Sequence, residues 1–246
     1  MKIFNIKNYA ICLIITILFA CLRILDPFFI ETARLKGLDY YQNTQEKVKS
    51  ENIAIIEIDE DSLDEYGQWP WKRDLIAQGI IKAYESGAQL VVVPILFAEK
   101  DRLGGDQELI ELLNEAPVII GQSASTKGKG DPVPRGLATI GESLDGWLFD
   151  YPEAIGPVKE LGEVAAGVGM ILTAPELDGV VRRMPLVIQI KGEAYPTIPL
   201  EVIRLFSGEQ SYQAKVSEAG VEAIRVPGFD PIITDENSRV WLNFKY

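Results

Sequence analysis

From Tyr9 to Leu22 the chain is almost wholly apolar, with Lys2 and Lys7 ahead of the run and Arg23 and Asp26 behind it. This segment divides the chain, because nothing so apolar can be left in water. Alone it falls short of the about 20 residues a helix needs to cross a bilayer. It extends through Phe29 and Ile30 if Arg23 snorkels toward the headgroups and pairs with Asp26 three residues on. The expectation is therefore an uncleaved signal-anchor or transmembrane helix over residues 1–30 and an exported domain over 31–246. A cleaved signal peptide shares the same description, a positive start before an apolar core. Cys21 after Leu18-Phe19-Ala20 also resembles a lipoprotein cleavage site, although Phe19 is bulky for one. All three readings export the rest. Arg34 and Lys36 on the far flank leave the positive-inside rule with little to say about orientation.

With 246 residues, 47% of them hydrophobic, the chain can bury one substantial core or two smaller lobes. It contains no histidine, and its only cysteines, Cys12 and Cys21, lie inside the apolar run. The exported part therefore has no disulfide framework, no thiolate metal site and none of the commonest general base. Any metal would be a hard cation on oxygen ligands. A net charge of −12 argues against nucleic-acid or anionic-lipid partners, which reward clustered Lys and Arg.

The exported part begins like a βαβ unit. Ile53 to Ile58 reads as a short apolar strand. Ser62 and Glu65 form the capping box of a short helix ended by Gly67. A second helix follows, with Asp74 as N-cap, Leu75, Ile76, Ile80 and Tyr84 on its apolar face, and Gly87 as its stop. Leu90 to Val93 is then a buried strand parallel to the first. The pattern repeats as a helix over Asp106–Asn114 and a strand over Val118–Gly121.

Such sheets bind ligands at the carboxyl ends of their strands. Here Asp59, Glu60 and Asp61 leave the first strand, and Glu99, Asp101, Arg102 and Asp106 follow the second. The cluster suits a divalent cation, held by Asp59, Asp61 and Asp101, or a cationic small ligand. It equally suits a solvated helix start, where carboxylates favour the positive dipole end. An acid–base carboxylate pair is a further option without specific support. Trp69-Pro70-Trp71 with Arg73 reads either as an aromatic wall with an anion clamp or as a core cap with Pro70 holding the bend. In the second case Arg73 pairs with the acidic loops.

Residues 122–162, rich in Gly, Ser and Pro, read as a flexible loop or flap between two lobes. Their TKGKGDPVPRG stretch lacks P-loop spacing. The second half is strand-rich. Asp178-Gly179 marks a tight turn, and Met184 to Ile190 a strand that turns at Lys191-Gly192 toward a partner near Ala194. A helix spans Leu200–Phe206, and short strands lie around 223–226, 231–233 and 240–244. Arg182 and Arg183 beside Asp178 read as an ion pair or a small-anion site, the pairing being favoured because a buried Arg needs a carboxylate. The whole predicts an α/β fold: a mixed sheet built on βαβ units flanked by helices, with a strand-rich C-terminal part and an N-terminal membrane helix.

The blocks RLKGLDYYQ at 34–42, IAIIEIDEDSLDEYGQWPWKRDLIAQ at 53–78, GAQLVVVPILFAEKDRLGGDQEL at 87–109 and LDGVVRRMPLVIQIKGEAYPTIPLEVIRL at 177–205 resemble, in order and spacing, the type-2 CHASE domain. This is the extracellular sensory module of membrane cyclases and histidine kinases, and the resemblance is nearest to the version on bacterial adenylate and guanylate cyclases. Pro94 departs from it, standing where an aspartate often precedes I-L-F. The resemblance implies a periplasmic or extracellular sensor of a small-molecule or ionic signal. Its cyclase or kinase output would lie beyond Tyr246, outside this chain. The expectation is thus a non-catalytic, membrane-tethered sensor in the bacterial cell membrane that forms a homodimer and uses no cofactor. The competing classes are a structural dimerisation module and a secreted enzyme using Asp59, Asp61 or Glu99.

Overall fold

The computed structural model describes residues 6–25, 27–46, 50–172 and 175–244. The chain divides into one unit over Met1–Ala54 with Asn243–Tyr246 and a larger one over Ile55–Leu242.

In the first unit, α1 (Ile6–Leu25) and α2 (Phe28–Thr44) are separated by a break at residues 26 and 27. Among the described residues no single helix is long and apolar enough to cross a membrane. The bent pair over Tyr9–Leu25 and Phe28–Thr44, meeting at 79°, passes that test together by length and composition. Apolar side chains of α1, such as Leu13, Ile14 and Phe19, are exposed. The expected Arg23–Asp26 pair falls on residue 26, and Lys2 on residue 2, both outside the described residues.

The second unit opens with an extended segment that corrects the predicted first strand. Residues 53–58 join no sheet, and Ile55 and Ile56 are 82% and 74% exposed. A β-prone run forms a strand only where a neighbouring edge takes up its backbone groups. Two helices follow, α3 (Glu60–Tyr66) and α4 (Arg73–Glu85). The cap of α3 is Asp59, not Ser62: the Asp59 carboxylate accepts from the Ser62 amide at 2.9 Å and hydroxyl at 2.6 Å. Next come β1 (Val91–Leu96), α5 (Asp106–Glu115) and β2 (Val118–Ser125), a parallel pair joined through a helix as predicted. Only the position of the βαβ unit shifts by one strand.

Residues 122–162 are not a flexible flap. They carry the end of β2, then β3 (Leu137–Gly141), β4 (Asp150–Tyr151), β5 (Glu153–Ile155) and the start of α6 (Lys159–Val164). After β6 (Gly167–Met170), the predicted strand at 184–190 is two pieces, β7 (Arg183–Pro185) and β8 (Val187–Ile190). The turn at Lys191 and Gly192, both at positive φ, leads into β9 (Glu193–Pro196). The chain continues through α7 (Ile198–Ser207), β10 (Tyr212–Ser217), β11 (Gly220–Arg225), β12 (Ile232–Ile233) and β13 (Arg239–Trp241).

These strands form four sheets. In the first, β2 lies parallel between β1 and β6, while its far end pairs antiparallel with β5. Beneath it α4, α5 and α6 bury Ile80, Leu109, Leu113 and Leu161 against Val118, Ile120 and Val168. Leu109 and Leu113 are one helical turn apart on the same face of α5, the spacing that makes it amphipathic. The second sheet runs β12-β11-β10-β3, with Tyr212, Ala214 and Ile224 packed against Leu200 of α7. The third runs β4-β8-β9 around Ile188 and Tyr195, and β13 pairs with β7. A fully buried aliphatic side chain contributes about 1.5–3 kcal/mol, so these clusters supply the main stabilisation.

Gly169 lies where α7 crosses β6, and a Cβ there would stand 2.6 Å from the Ile198 Cα. The helix packs directly on the strand backbone.

Candidate functional site

Arg73, at the start of α4, gathers the acidic edge. Its guanidinium, buried to 6% exposure, binds the Asp106 carboxylate and the Glu99 carbonyl. Its backbone amide donates to Asp101 at 2.8 Å, and the amide of Asp101 donates to Asp106 at 3.0 Å. The guanidinium also lies over the Phe97 ring, 5.1 Å from its centre. Glu99 pairs with Lys129 and, at 3.3 Å, with Arg102; the Lys129 ammonium, more than Arg102, holds its carboxyl below the ordinary range. Arg73 thus gathers Asp101 and Asp106 of the loop after β1, one of the two acidic loops expected to pair with it; Asp59 and Asp61 of the other do not reach it.

Gly105 permits this loop, since at φ 96° an added Cβ would stand 2.5 Å from the Asp74 amide. Asp59 and Asp61 are exposed on α3, and Asp59 is held below the ordinary carboxylate range chiefly by the Ser62 hydroxyl. Among the described residues no three Asp, Glu, Cys or His side chains are gathered as a metal-holding group.

The two tryptophans do not cap a core. Trp71 donates from its indole nitrogen to the Gly67 carbonyl at 2.6 Å and meets Tyr66 edge-on at 5.6 Å. Trp69, 41% exposed, lies 6.0 Å from Trp71. The result is a surface aromatic trio. Asp178 takes both terminal nitrogens of buried Arg182 at 2.8 Å. Arg183 turns instead to Glu176, at 2.6 and 2.7 Å, and to Asp235. The Arg183 hydrogen bonds hold Glu176 below the ordinary carboxylate range.

None of the sequence-derived candidates lines a cleft in the second unit that has a volume of about 690 Å³. One wall is β3, the other the β8–β9 turn with Gln189, and residues 142–145 with buried Leu148 close one end. At the other end the Arg135 amide donates to the Ala194 carbonyl at 3.0 Å, tying the two sheets together. Three carboxylates, of Glu142, Asp145 and Glu193, stand on the rim. Among the described residues they form no ion pair within the chain.

Beneath Arg135 lies a buried network. Glu201 is fully buried and takes Arg204 through two bonds of 2.9 Å, with the Tyr212 hydroxyl donating to the same carboxylate. Arg204 also donates to the carbonyls of Ala166 and Glu209. Burial, more than the neighbouring carboxylate, pushes the Tyr212 phenol well above its ordinary value, so it stays protonated. Arg135 reaches Glu201 at 3.5 Å, and its Nε–H, shielded from solvent, finds no acceptor.

Sequence reasoning missed this cleft. Its walls are backbone edges, which carry no residue signature. The one legible sign was Glu201 and Arg204, two charges three residues apart inside the apolar helix IPLEVIRLFS.

The second unit is a mixed α/β domain with a polar cleft. The chain belongs to the CHASE2 domain family, whose profile matches residues 12–246. CHASE2 domains are extracellular sensory domains. No curated protein and no solved structure matches the chain.

Proposed function

We propose that the chain is the extracytoplasmic signal-input domain of a bacterial membrane receptor, whose output is an adenylate or guanylate cyclase, and that the ligand occupies the cleft between β3 and the β8–β9 turn. In this reading residues 1–30 anchor the domain, residues 31–246 sense, and two copies pair. The observation that carries it is the rim of the cleft. Three carboxylates line it without an ion pair among the described residues, whereas the buried charges elsewhere in the unit are compensated, and a concave surface with a few convergent polar groups is where a ligand is expected. The Arg73 network serves as a structural latch in the same reading. The exposed Asp59, Asp61 and Trp69 remain available to a partner surface.

The test is a thermal-shift screen of the full chain in detergent against metals, amino acids, sugars, organic acids, nucleotides and short peptides. A ligand at a hundred times its Kd stabilises by about 2.7 kcal/mol. A shift that disappears in Glu142→Gln, Asp145→Asn places the ligand in the cleft. A shift lost instead in Asp59→Asn, Asp61→Asn moves the site to the α3 surface.

A further inference from the structure

We propose that the cleft is a peptide groove, in which a short extended peptide with cationic side chains adds as a new strand to the open edge of β3. This rests on reading the cleft as the ligand site. The backbone direction of β3 is the first support. The Tyr212 amide donates to the Gly136 carbonyl at 3.0 Å, and the Glu142 amide to the Val216 carbonyl at 3.1 Å. Even-numbered residues therefore face β10, and Leu137 and Thr139 turn their N–H and C=O groups the other way. Leu137, Thr139 and Gly141, whose main-chain groups turn away from β10, all line the cleft, together with Gly136 and Glu142 at the ends of the strand. Across the gap Ala194 of β9 faces its main chain outward too, as its bond to Arg135 shows.

Two strand edges thus look onto one cavity, and nothing in the described chain fills it. Exposed edges are normally blunted by charge or proline because they recruit other strands. The open edge of β1 follows that rule. The bond from the Val91 amide to Pro117 points odd-numbered residues toward β2, so Pro94, which has no N–H, faces outward. Leu137-Ala138-Thr139-Ile140-Gly141 carries neither charge nor proline. The edge at the cleft is left receptive while the other is closed.

Strand addition takes affinity from main-chain bonds and selectivity from side-chain pockets. Five residues of β3 at a rise of about 3.3 Å each offer roughly 16 Å of edge, enough for about five peptide residues. The unpaired carboxylates of Glu142, Asp145 and Glu193 select cationic side chains.

The test uses the full chain in detergent and fluorescence anisotropy of a labelled Lys-Thr-Lys-Val-Lys peptide. Its Glu-Thr-Glu-Val-Glu counterpart and a copy methylated on alternate amides serve as controls. Binding of the cationic peptide is expected. Methylation on the edge-facing amides should weaken it about tenfold or more, since two main-chain bonds are lost. The variant Glu142→Gln, Asp145→Asn, Glu193→Gln should weaken it similarly, and Thr139→Pro should abolish it. Equal affinity for the plain and methylated peptides overturns strand addition without requiring any protein variant. Self-association that Thr139→Pro abolishes, with no peptide binding, gives the edge to a second copy and also overturns it. No peptide binding beside a cleft-dependent shift from a non-peptide ligand sinks the peptide groove and keeps the sensor cleft; silence in both sinks both.

Discussion

At the edge formed by residues 99–106, Asp101, Asp106 and Glu99 each have a partner in the chain, and Arg73 holds two of them from a buried position. At the cleft, Glu142, Asp145 and Glu193 form no ion pair among the described residues, although next to Arg135 the buried charges of Glu201 and Arg204 are paired with each other and with Tyr212. The two places have similar charge in the sequence. What separates them is a buried cation delivered by another element. The edge is neutralised within the fold, and in the proposed reading the cleft is neutralised by a ligand. That contrast predicts where stability resides and where binding does.

The largest effect is expected in the buried Glu201 network next to Arg135. Glu201→Ala leaves the Arg204 guanidinium, 3% exposed, without its carboxylate. Breaking a buried pair from one side costs about 3–5 kcal/mol, which urea unfolding measures as a large drop in midpoint. A loss below about 1 kcal/mol would show that water reaches this pair and would erase its distinction from the exposed carboxylates of the cleft.

Next comes the acidic edge. Arg73→Ala removes charge-assisted bonds to Asp106 and the Glu99 carbonyl and uncovers Phe97. The expected loss is about 2–3 kcal/mol. Gly105→Ala, at φ 96° with the Asp74 amide in the way, should cost about 1–3 kcal/mol by strain alone. If both variants unfold with the wild type, the edge is not a latch, and its carboxylates return as ligand candidates.

Much of this contrast was out of reach of the sequence, for physical reasons. α3, α4, α5 and α7 were legible because glycine stops and apolar spacing are local, although the caps read at Ser62 and Asp74 were not the ones used, α3 being capped by Asp59 and α4 starting after Lys72 without a side-chain cap. Ile53–Ile58 misled because its apolar, β-branched composition states a preference and a strand also needs a partner. β6 went unseen because its glycines, Gly167 and Gly169, interrupt the apolar pattern. They are there for close approach: a Cβ on Gly167 would stand 2.7 Å from the Glu201 carboxylate. The Arg73 pairing was legible in kind, since a lone arginine among acidic loops has few alternatives. The cleft was not, because two strands distant in sequence make it with their backbones.

A smaller effect is read by pH at another paired carboxylate, Glu176. Glu176 accepts two bonds from Arg183 and is held below the ordinary carboxylate range by them. A lowered folded pKa contributes stability that is present above the unfolded value of about 4.3 and is lost as pH falls through the folded one. Glu176→Gln should therefore be less stable than the wild type at pH 7, by on the order of 1 kcal/mol. The difference should close below about pH 4. Thermal unfolding across pH 3–7 reads it, and a gap that persists at the acid end would mean that packing, not charge, is what was lost.

The smallest effect on stability belongs to the rim, and it is the sharpest form of the comparison. Glu142→Gln, Asp145→Asn and Glu193→Gln together remove three negative charges from a chain with a net charge of −12. No intramolecular pair is broken, and mutual repulsion is relieved. The change in unfolding free energy should stay within about 0.5 kcal/mol, and its sign should be stabilising at low salt, where screening is weakest. A loss of 1 kcal/mol or more would show that these carboxylates support the fold as Asp106 does. A neutral or positive change would mean that three charges are retained on a concave surface at no benefit to folding, leaving binding as the property they serve.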